Sequence, residues 1–396
     1  MNELDIRNIQ KALREEGFDA WFFADFKGTD PISHRILGLP EGAMVTRRWF
    51  YVIPAEGECL RLCHRIEPHS LDHLPGRKVL YGPWQEWQKV LGDTLKESRR
   101  VACQFSKNGV IPALGRLDAG TADFLRGLGV ELVSSGDLVA RFEVTANAEQ
   151  KAGHFRAMEV LLKTVNMAFS KVRSAIEGPE TLTEYALQQA MLEHMKAGGL
   201  TTDAPPIVGV DAHGADPHYE PGPEGSFEIG RDQALLLDLW AKETAPGSVY
   251  ADITWCAWTG SQVPDEQRKV FDIVTAARDA GIAKAKQAAA GTICGWEVDR
   301  ATRDVIDAAG YGEYFIHRTG HSIYEEDHAN GANMDDYETK DTRRLLPDTL
   351  FSIEPGIYLP GRFGFRSEVN LLVLKDEVVV TGRKQTSLPA LFGDAD

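Results

Sequence analysis

The first 145 residues alternate short apolar runs with stretches of helical periodicity. Runs at 20–25, 48–54 and 101–105 are rich in aromatic and β-branched residues, which is typical of buried strands. A helical pattern occupies residues 4–16, and others lie between and after the apolar runs. Because strands and helices alternate, we expect a separate α/β domain over residues 1–145.

The pattern changes after this segment. Asn147 stands where it can cap a long amphipathic helix. Further on, residues 235–255 and 350–373 form two β-branched and aromatic runs, each with a Pro-Gly turn signal near its centre. We expect each run to be an antiparallel hairpin. Both hairpins belong to a second predicted domain, residues 146–396.

Each predicted hairpin carries a pair of acidic residues. Asp238 and Asp252 are 14 residues apart around the first turn, and Glu354 and Glu368 are 14 apart around the second. Residues equidistant from a turn lie opposite each other on one face, with Cβ atoms roughly 4.5–5.5 Å apart. Facing like charges destabilise a sheet, so two such pairs indicate that cations lie between the carboxylates. For a single acid, ordinary exposure to solvent would be the simpler interpretation.

A histidine-rich stretch, FIHRTGHSIYEEDHANG at residues 315–331, lies between the two hairpins. It places His317, His321 and His328 at intervals of four and seven residues. Four carboxylates and one imidazole can supply the ligands of two divalent ions, whose charge offsets that of the carboxylates. The sequence therefore predicts a dinuclear metal site.

These residues resemble the metal-binding set of the metallopeptidases that share the pita-bread fold with methionine aminopeptidase, creatinase, prolidase and aminopeptidase P. The resemblance covers about residues 147–385 and implies an α+β pita-bread domain preceded by an α/β domain like the N-terminal domain of creatinase. All five ligand positions are filled, whereas creatinase works without metal. The matching positions are Asp238 in LLLDL, Asp252 in YADIT, His321 in HRTGH, Glu354 in IEPGIY and Glu368 in FRSE.

The resemblance also implies roles for other residues. A hydroxide bridging two metal ions would attack the peptide carbonyl, and Glu354 would move its proton towards the departing amine. His218 and His328 would bind the substrate and stabilise the tetrahedral intermediate. His317 would lie near the substrate pocket, and Arg366 could orient a carboxylate. Oxygen-rich ligands favour Mn, with Co and Zn as alternatives.

One competing residue and two departures from the family pattern affect these expectations. His213 competes with His218 for the loop position, although the Pro-His context favours His218. The run HSIYEEDH replaces small residues, so one wall of the pocket is expected to differ. The two aspartates are three residues further apart than is usual in the family, which lengthens the first hairpin.

An α/β domain ahead of the metal domain points to the branch of the family that cleaves Xaa-Pro bonds. A buried cation that binds the carboxylate of a dipeptide would select against longer peptides, because they present a neutral amide there and leave the cation unpaired. Arg47 and Arg48 are the predicted candidates for this cation. We therefore expect a prolidase, an Xaa-Pro dipeptidase. Three alternatives stay open: an aminopeptidase P that acts on longer peptides, a non-catalytic pita-bread binding module and a creatinase-like C–N hydrolase.

The overall composition limits the partners. The 396 residues carry a net charge of −16, which argues against nucleic acid and anionic membranes. No signal peptide pattern or apolar run of about 18 residues occurs, and the five cysteines are scattered, so we expect a cytoplasmic protein. A homodimer is expected because symmetric dimers are the commonest oligomers.

Overall fold

The computed structural model describes residues 3–40, 42 and 45–393. The chain divides into two compact units, Met1–Glu143 (unit 1) and Val144–Asp396 (unit 2). This division lies two residues before the domain boundary predicted from the sequence.

Unit 1 is built on one six-stranded mixed sheet of order β4-β3-β2-β1-β5-β6. Strand residues alternate between two apolar cores, so that Trp21 and Phe23 pack on one face and Phe22 and Phe50 on the other. The sheet is apolar on both faces, and helices alternate with its strands along the chain. This confirms the predicted α/β architecture. The elements are α1 Glu3–Glu15, β1 Ala20–Asp25, α2 Pro31–Leu37, β2 Trp49–Pro54, β3 Leu60–His64, β4 Arg77–Tyr81, α3 Trp84–Leu95, β5 Arg100–Cys103, α4 Ala119–Gly127, β6 Glu131–Ser134 and α5 Gly136–Glu143.

Unit 2 opens with the long helix that the sequence predicts. Asn147 caps it by accepting from the backbone N–H of Gln150, whose side chain in turn accepts from the backbone N–H of Asn147. The strands that follow form sheets of order β10-β9-β7, with β8 also on β9, and β11-β12-β15-β16, and a two-stranded ribbon β13-β14. The elements are α6 Ala148–Glu177, α7 Glu184–Ala197, β7 Leu200–Thr201, β8 Ile207–Val210, β9 Ala234–Glu243, β10 Ala251–Trp258, α8 Asp265–Ala285, α9 Gly295–Ala308, β11 Ser322–Ile323, β12 Leu350–Ile353, β13 Gly356–Leu359, β14 Phe363–Arg366, β15 Val369–Val373 and β16 Val378–Val380.

The two faces of the β9–β10 hairpin have different neighbours. Leu237, Leu239 and Ile253 point towards α6 and α7 and share one core with them. Since side chains alternate along a strand, Asp238 and Asp252 point to the opposite face. The apolar positions of this hairpin thus fix the side on which its carboxylates lie.

The register of β9–β10 differs from the prediction. Asp238 pairs with Thr254, and Asp252 pairs with Trp240, so the expected direct opposition of the two aspartates is wrong. The ladder is centred on Pro246 because Ala241 pairs with Ala251. The displacement is two residues along one strand, which keeps both carboxylates on the same face.

The second hairpin has the predicted register. Ile353 pairs with Val369 in β12–β15, and Gly356 pairs with Arg366 in β13–β14. The pairs of both ladders are centred on the same residue, Gly361. Glu354 and Glu368, which lie between the two ladders, are therefore opposite each other. Within the described residues, no helix is both long and apolar enough to cross a lipid bilayer.

Candidate metal centre

Four carboxylates and one imidazole of unit 2 converge where the two hairpins meet. His321 Nε2 lies 3.5 Å from Asp252 Oδ2 and 3.3 Å from Glu354 Oε1. Asp252, His321 and Glu368 each offer a ligand atom within 4.8 Å of the other two. Asp238 joins them through Thr254, whose hydroxyl contacts both Asp238 and Glu368. The five predicted ligands therefore lie together.

The buried carboxylates have the chemistry of a cation site. Asp252 Oδ1 and Glu368 Oε1 are buried without a hydrogen-bond partner among the described residues. Burial and the charges of the neighbouring acids raise the pKa of both groups well above its usual range. Burial also raises the pKa of Asp238, although Arg366 opposes the shift. Divalent cations would keep these groups ionised and would use the unpartnered oxygens, so the residues fit such ions.

Thr254 holds three charged groups together. Its hydroxyl lies 3.0 Å from Asp238 Oδ1 and 2.8 Å from Glu368 Oε2, and it accepts from Arg366 Nε at 2.9 Å. Arg366 also forms an ion pair with Asp238 through Nη2. The arginine predicted to lie near the metal shell is therefore bound to one of the predicted ligand carboxylates.

Backbone groups and a serine orient His321. Its Nδ1 lies 3.1 Å from the carbonyl oxygen of Asp327 and 3.3 Å from that of Ser322. Since a carbonyl only accepts, Nδ1 carries the proton and Nε2 stays free to bind a cation. Ser352 Oγ accepts from the backbone N–H of His321 and donates to Glu354 Oε1, both at 2.9 Å.

A cavity of about 410 Å³ opens over these groups. This volume lies within the range of about 300–1,000 Å³ that is usual for small-molecule sites. All of its lining residues belong to unit 2. They include the predicted site residues Asp238, Asp252, His218, His317, His321, His328, Glu354 and Arg366, and an apolar wall of Pro205, Pro206, Ile207, Pro217, Pro221 and Trp240.

The structure separates the two loop histidines. His218 lines the cavity, whereas His213 is stacked between Tyr219 and Phe227, with ring centroids 4.1 and 3.7 Å away. His213 Nδ1 also lies 2.8 Å from the buried carboxylate of Glu184. His213 therefore anchors the loop.

Glu184 is a residue whose importance the sequence does not show. Its carboxylate accepts from the backbone N–H groups of Val210 and Phe227 and from the Tyr219 hydroxyl, each at 2.8 Å. Glu184 thus fixes both ends of the loop that carries His218. Its position in the first turn of α7 predicts only a helix cap.

His317 is held against the ribbon β13–β14. Its Nε2 lies 2.8 Å from the hydroxyl of Tyr358, and its Nδ1 lies 2.7 Å from the carbonyl oxygen of Arg318. Burial lowers the pKa of His317 to about 4, so the ring is neutral at pH 7. Tyr358, unlike His317, has no sequence signal beyond its place in a strand.

Arg47 and Arg48 belong to unit 1, and the structure shows their local contacts. The Arg47 side chain is exposed and bonds to the carbonyl of Thr46, and Arg48 lies over the ring of Trp87 at 5.7 Å. Their predicted contact with substrate stays a prediction.

Comparisons with known proteins match about half of this chain to known peptidases. A model of metallopeptidase family M24 matches residues 155–375. A putative Xaa-Pro aminopeptidase of Mycoplasma pneumoniae is 30% identical over 49% of this chain and 51% of its own length. An Xaa-Pro dipeptidase of Lactobacillus helveticus is 41% identical over 43% of this chain and 42% of its own. The matched part thus spans about half the length of these curated relatives.

A solved structure resembles the chain over its full length. Dipeptidase PepE from Mycobacterium ulcerans superposes with a TM-score of 0.65 and 21% identity, covering 98% of this chain and 97% of that one. This likeness confirms an α/β N-terminal domain followed by a pita-bread domain. Because the family match includes every residue of the metal centre and more than half of the 396 residues, the chain belongs to metallopeptidase family M24.

Proposed function

We propose that this protein is a metal-dependent Xaa-Pro dipeptidase. The observation that carries the proposal is the position of the metal centre. Four of the five predicted ligands line a cavity that also has apolar residues and the guanidinium of Arg318, which forms no ion pair with a described carboxylate. These features match the parts of an Xaa-Pro dipeptide, which has a peptide carbonyl, an apolar ring and a terminal carboxylate.

Asp238, Asp252, His321, Glu354 and Glu368 would hold two divalent ions, with Mn favoured by the four carboxylates and Co or Zn as alternatives. When bound, such ions supply a nucleophilic water at neutral pH and polarise the scissile carbonyl. Glu354 is the ligand best placed to move a proton, because its side chain is 14% exposed and lines the cavity. Its carboxylate would accept the proton of the attacking water and deliver it to the proline nitrogen.

Two histidines of the cavity would bind the reacting carbonyl group. The His328 side chain is 59% exposed, and electrostatic repulsion from the adjacent His321 ring, together with burial, lowers the pKa of His328 to about 3. His328 is therefore neutral at pH 7 and can donate one hydrogen bond to the developing oxyanion. His218, on the loop fixed by Glu184, would donate a second.

The apolar wall suits the proline ring. Pro205, Pro206 and Ile207 form one side of it, and Trp240 lies beside them with its indole N–H bonded to Asp203 at 2.8 Å. A pyrrolidine ring packed there would remove apolar surface from contact with water, which is favourable. A charged side chain packed there would lose its solvation, which is costly.

Arg318 is our candidate for the residue that binds the dipeptide carboxylate. Of the residues that line the described cavity, only Arg318 and Arg366 carry a guanidinium, and Arg366 is paired with Asp238. Arg318 forms no ion pair with a described carboxylate, and its Nη2 lies 3.5 Å from His328 Nδ1. A longer peptide presents a neutral amide at this position and would leave the guanidinium unpaired. Arg47 and Arg48 stay the second proposal for the same role.

The test compares hydrolysis of Ala-Pro with that of Ala-Pro-Ala by protein reloaded with Mn. We expect a preference for Ala-Pro, and we expect Arg318→Gln to lose at least about tenfold in kcat/KM for Ala-Pro while Ala-Pro-Ala changes little. The double variant Arg47→Ala, Arg48→Ala is the matched control. A loss in that control alone would assign the carboxylate contact to unit 1.

Other outcomes identify the alternatives. A preference for Ala-Pro-Ala would make the protein an aminopeptidase P, the activity named for the Mycoplasma pneumoniae relative. Turnover of neither peptide with metal bound would favour a binding module. We further propose a cytoplasmic homodimer, which cell fractionation and size-exclusion chromatography test.

A further inference from the structure

Asp327 is a carboxylate beside the metal centre that neither the resemblance nor the predicted ligand set includes. It lines the cavity and is only 8% exposed. Its Oδ1 is buried without a hydrogen-bond partner among the described residues, and its Oδ2 lies 3.7 Å from His328 Nε2. Such a group is costly to bury unless a cation or a proton satisfies it.

The side chain of Asp327 is close enough to share an ion with the predicted ligands. His321, Asp327 and His328 each offer a ligand atom within 4.8 Å of the other two, as do Asp252, His321 and Glu368. His321 belongs to both groups, and because its Nδ1 is directed at backbone carbonyls, Nε2 is the nitrogen available to a cation. The two groups therefore share one residue, His321.

The charge balance of the site also favours one more carboxylate. Two divalent ions offset the four predicted carboxylate ligands, and the buried guanidinium of Arg366 adds one further positive charge. An ionised Asp327 would bring the set to neutrality. Without cations, five acids would face one guanidinium in a buried site, which is unfavourable.

We propose that Asp327 is a sixth protein ligand of the metal centre and binds the same ion as His321. The inference rests on the metal centre of the proposed function. A further carboxylate makes this ion's shell richer in oxygen, which favours Mn over Zn.

Mn binding by the full-length protein tests the assignment. Isothermal titration of the metal-stripped wild type should give two ions. Asp327→Asn, which keeps the shape and removes the charge, should weaken one of them by at least about tenfold, because loss of an outer partner alone already costs about 10–100-fold. Glu326→Gln is the control, since it removes the same charge from the adjacent, exposed acid. That variant should bind like the wild type.

A second readout distinguishes ligation from a structural role. Metal-free Asp327→Asn should melt at or above the temperature of the metal-free wild type, since it removes a buried negative charge whose Oδ1 has no hydrogen-bond partner among the described residues. If Asp327→Asn binds both ions as tightly as Glu326→Gln, or if its weaker binding accompanies a lower melting temperature of the metal-free protein, the assignment is wrong. A wild type that binds no Mn would instead overturn the proposed function, and this inference with it.

Discussion

Replacing Thr254 by valine removes one hydroxyl and leaves the shape of the side chain. Thr254 is wholly buried between the two carboxylate hairpins. Its hydroxyl has one proton, which it can donate to either Asp238 or Glu368, and it accepts from Arg366 Nε. In Thr254→Val, all three charged groups lose this partner, and the hydroxyl that bridges Asp238 and Glu368 is gone.

The magnitude follows from the number and type of bonds lost. A hydrogen bond to a charged group contributes about 1.5–3 kcal/mol. Since about 1.4 kcal/mol corresponds to tenfold in an equilibrium constant, we expect Mn affinity to fall by about 10- to 100-fold. The same range is found when outer partners of metal ligands are removed.

Competition with a chelator of known affinity measures this loss directly, and Thr254→Ser is the matched control. Serine keeps the hydroxyl and should bind Mn within a few-fold of the wild type. If valine and serine bind Mn equally well, then the hydroxyl does not organise the ligands and our interpretation of the site is wrong.

Three further predictions concern the metal centre and two other buried groups of unit 2. Mn should raise the melting temperature of the stripped protein, because cations relieve repulsion among the buried acids; an unchanged melting curve would contradict this. Burial lowers the pKa of His154 to about 4, and its ring bonds to the Tyr250 carbonyl at 2.6 Å. Since the unfolded pKa is about 6.5, the free energy of unfolding should fall by up to about 3 kcal/mol as pH drops from about 6.5 to 4, and His154→Gln should flatten this slope in urea unfolding. Glu184→Gln should lower kcat for Ala-Pro through the loop of His218 and leave Mn affinity unchanged; a parallel loss of Mn binding would indicate general unfolding.

The second hairpin was predictable from sequence in more detail than the first. Glu354 and Glu368 are equidistant from a tight turn at Gly361, whose φ of 70° suits glycine. The connection between β9 and β10 is longer, and residues 244–250 lie outside both strands. A longer loop does not fix which residues pair, so the register slipped by two while the face was preserved.

Other site residues had no distinguishing signal. Asp327 stands in the acidic run EED of a chain with 59 acidic residues, and its burial depends on the fold of the surrounding loops. Glu184 lies in the first turn of a helix, where acids are common, and its partners lie 26 to 43 residues away in sequence. Long-range contacts of this kind follow from tertiary packing, which local patterns do not encode.

The central claim is that hydrolysis of an Xaa-Pro dipeptide depends on the ions held by these residues. The most direct measurement is the rate of Ala-Pro hydrolysis by stripped protein as Mn is added. We predict no turnover without metal, activity that rises until two ions are bound per chain, and no recovery by Asp252→Asn. Turnover by the fully stripped protein, or none with two ions bound, would contradict the account.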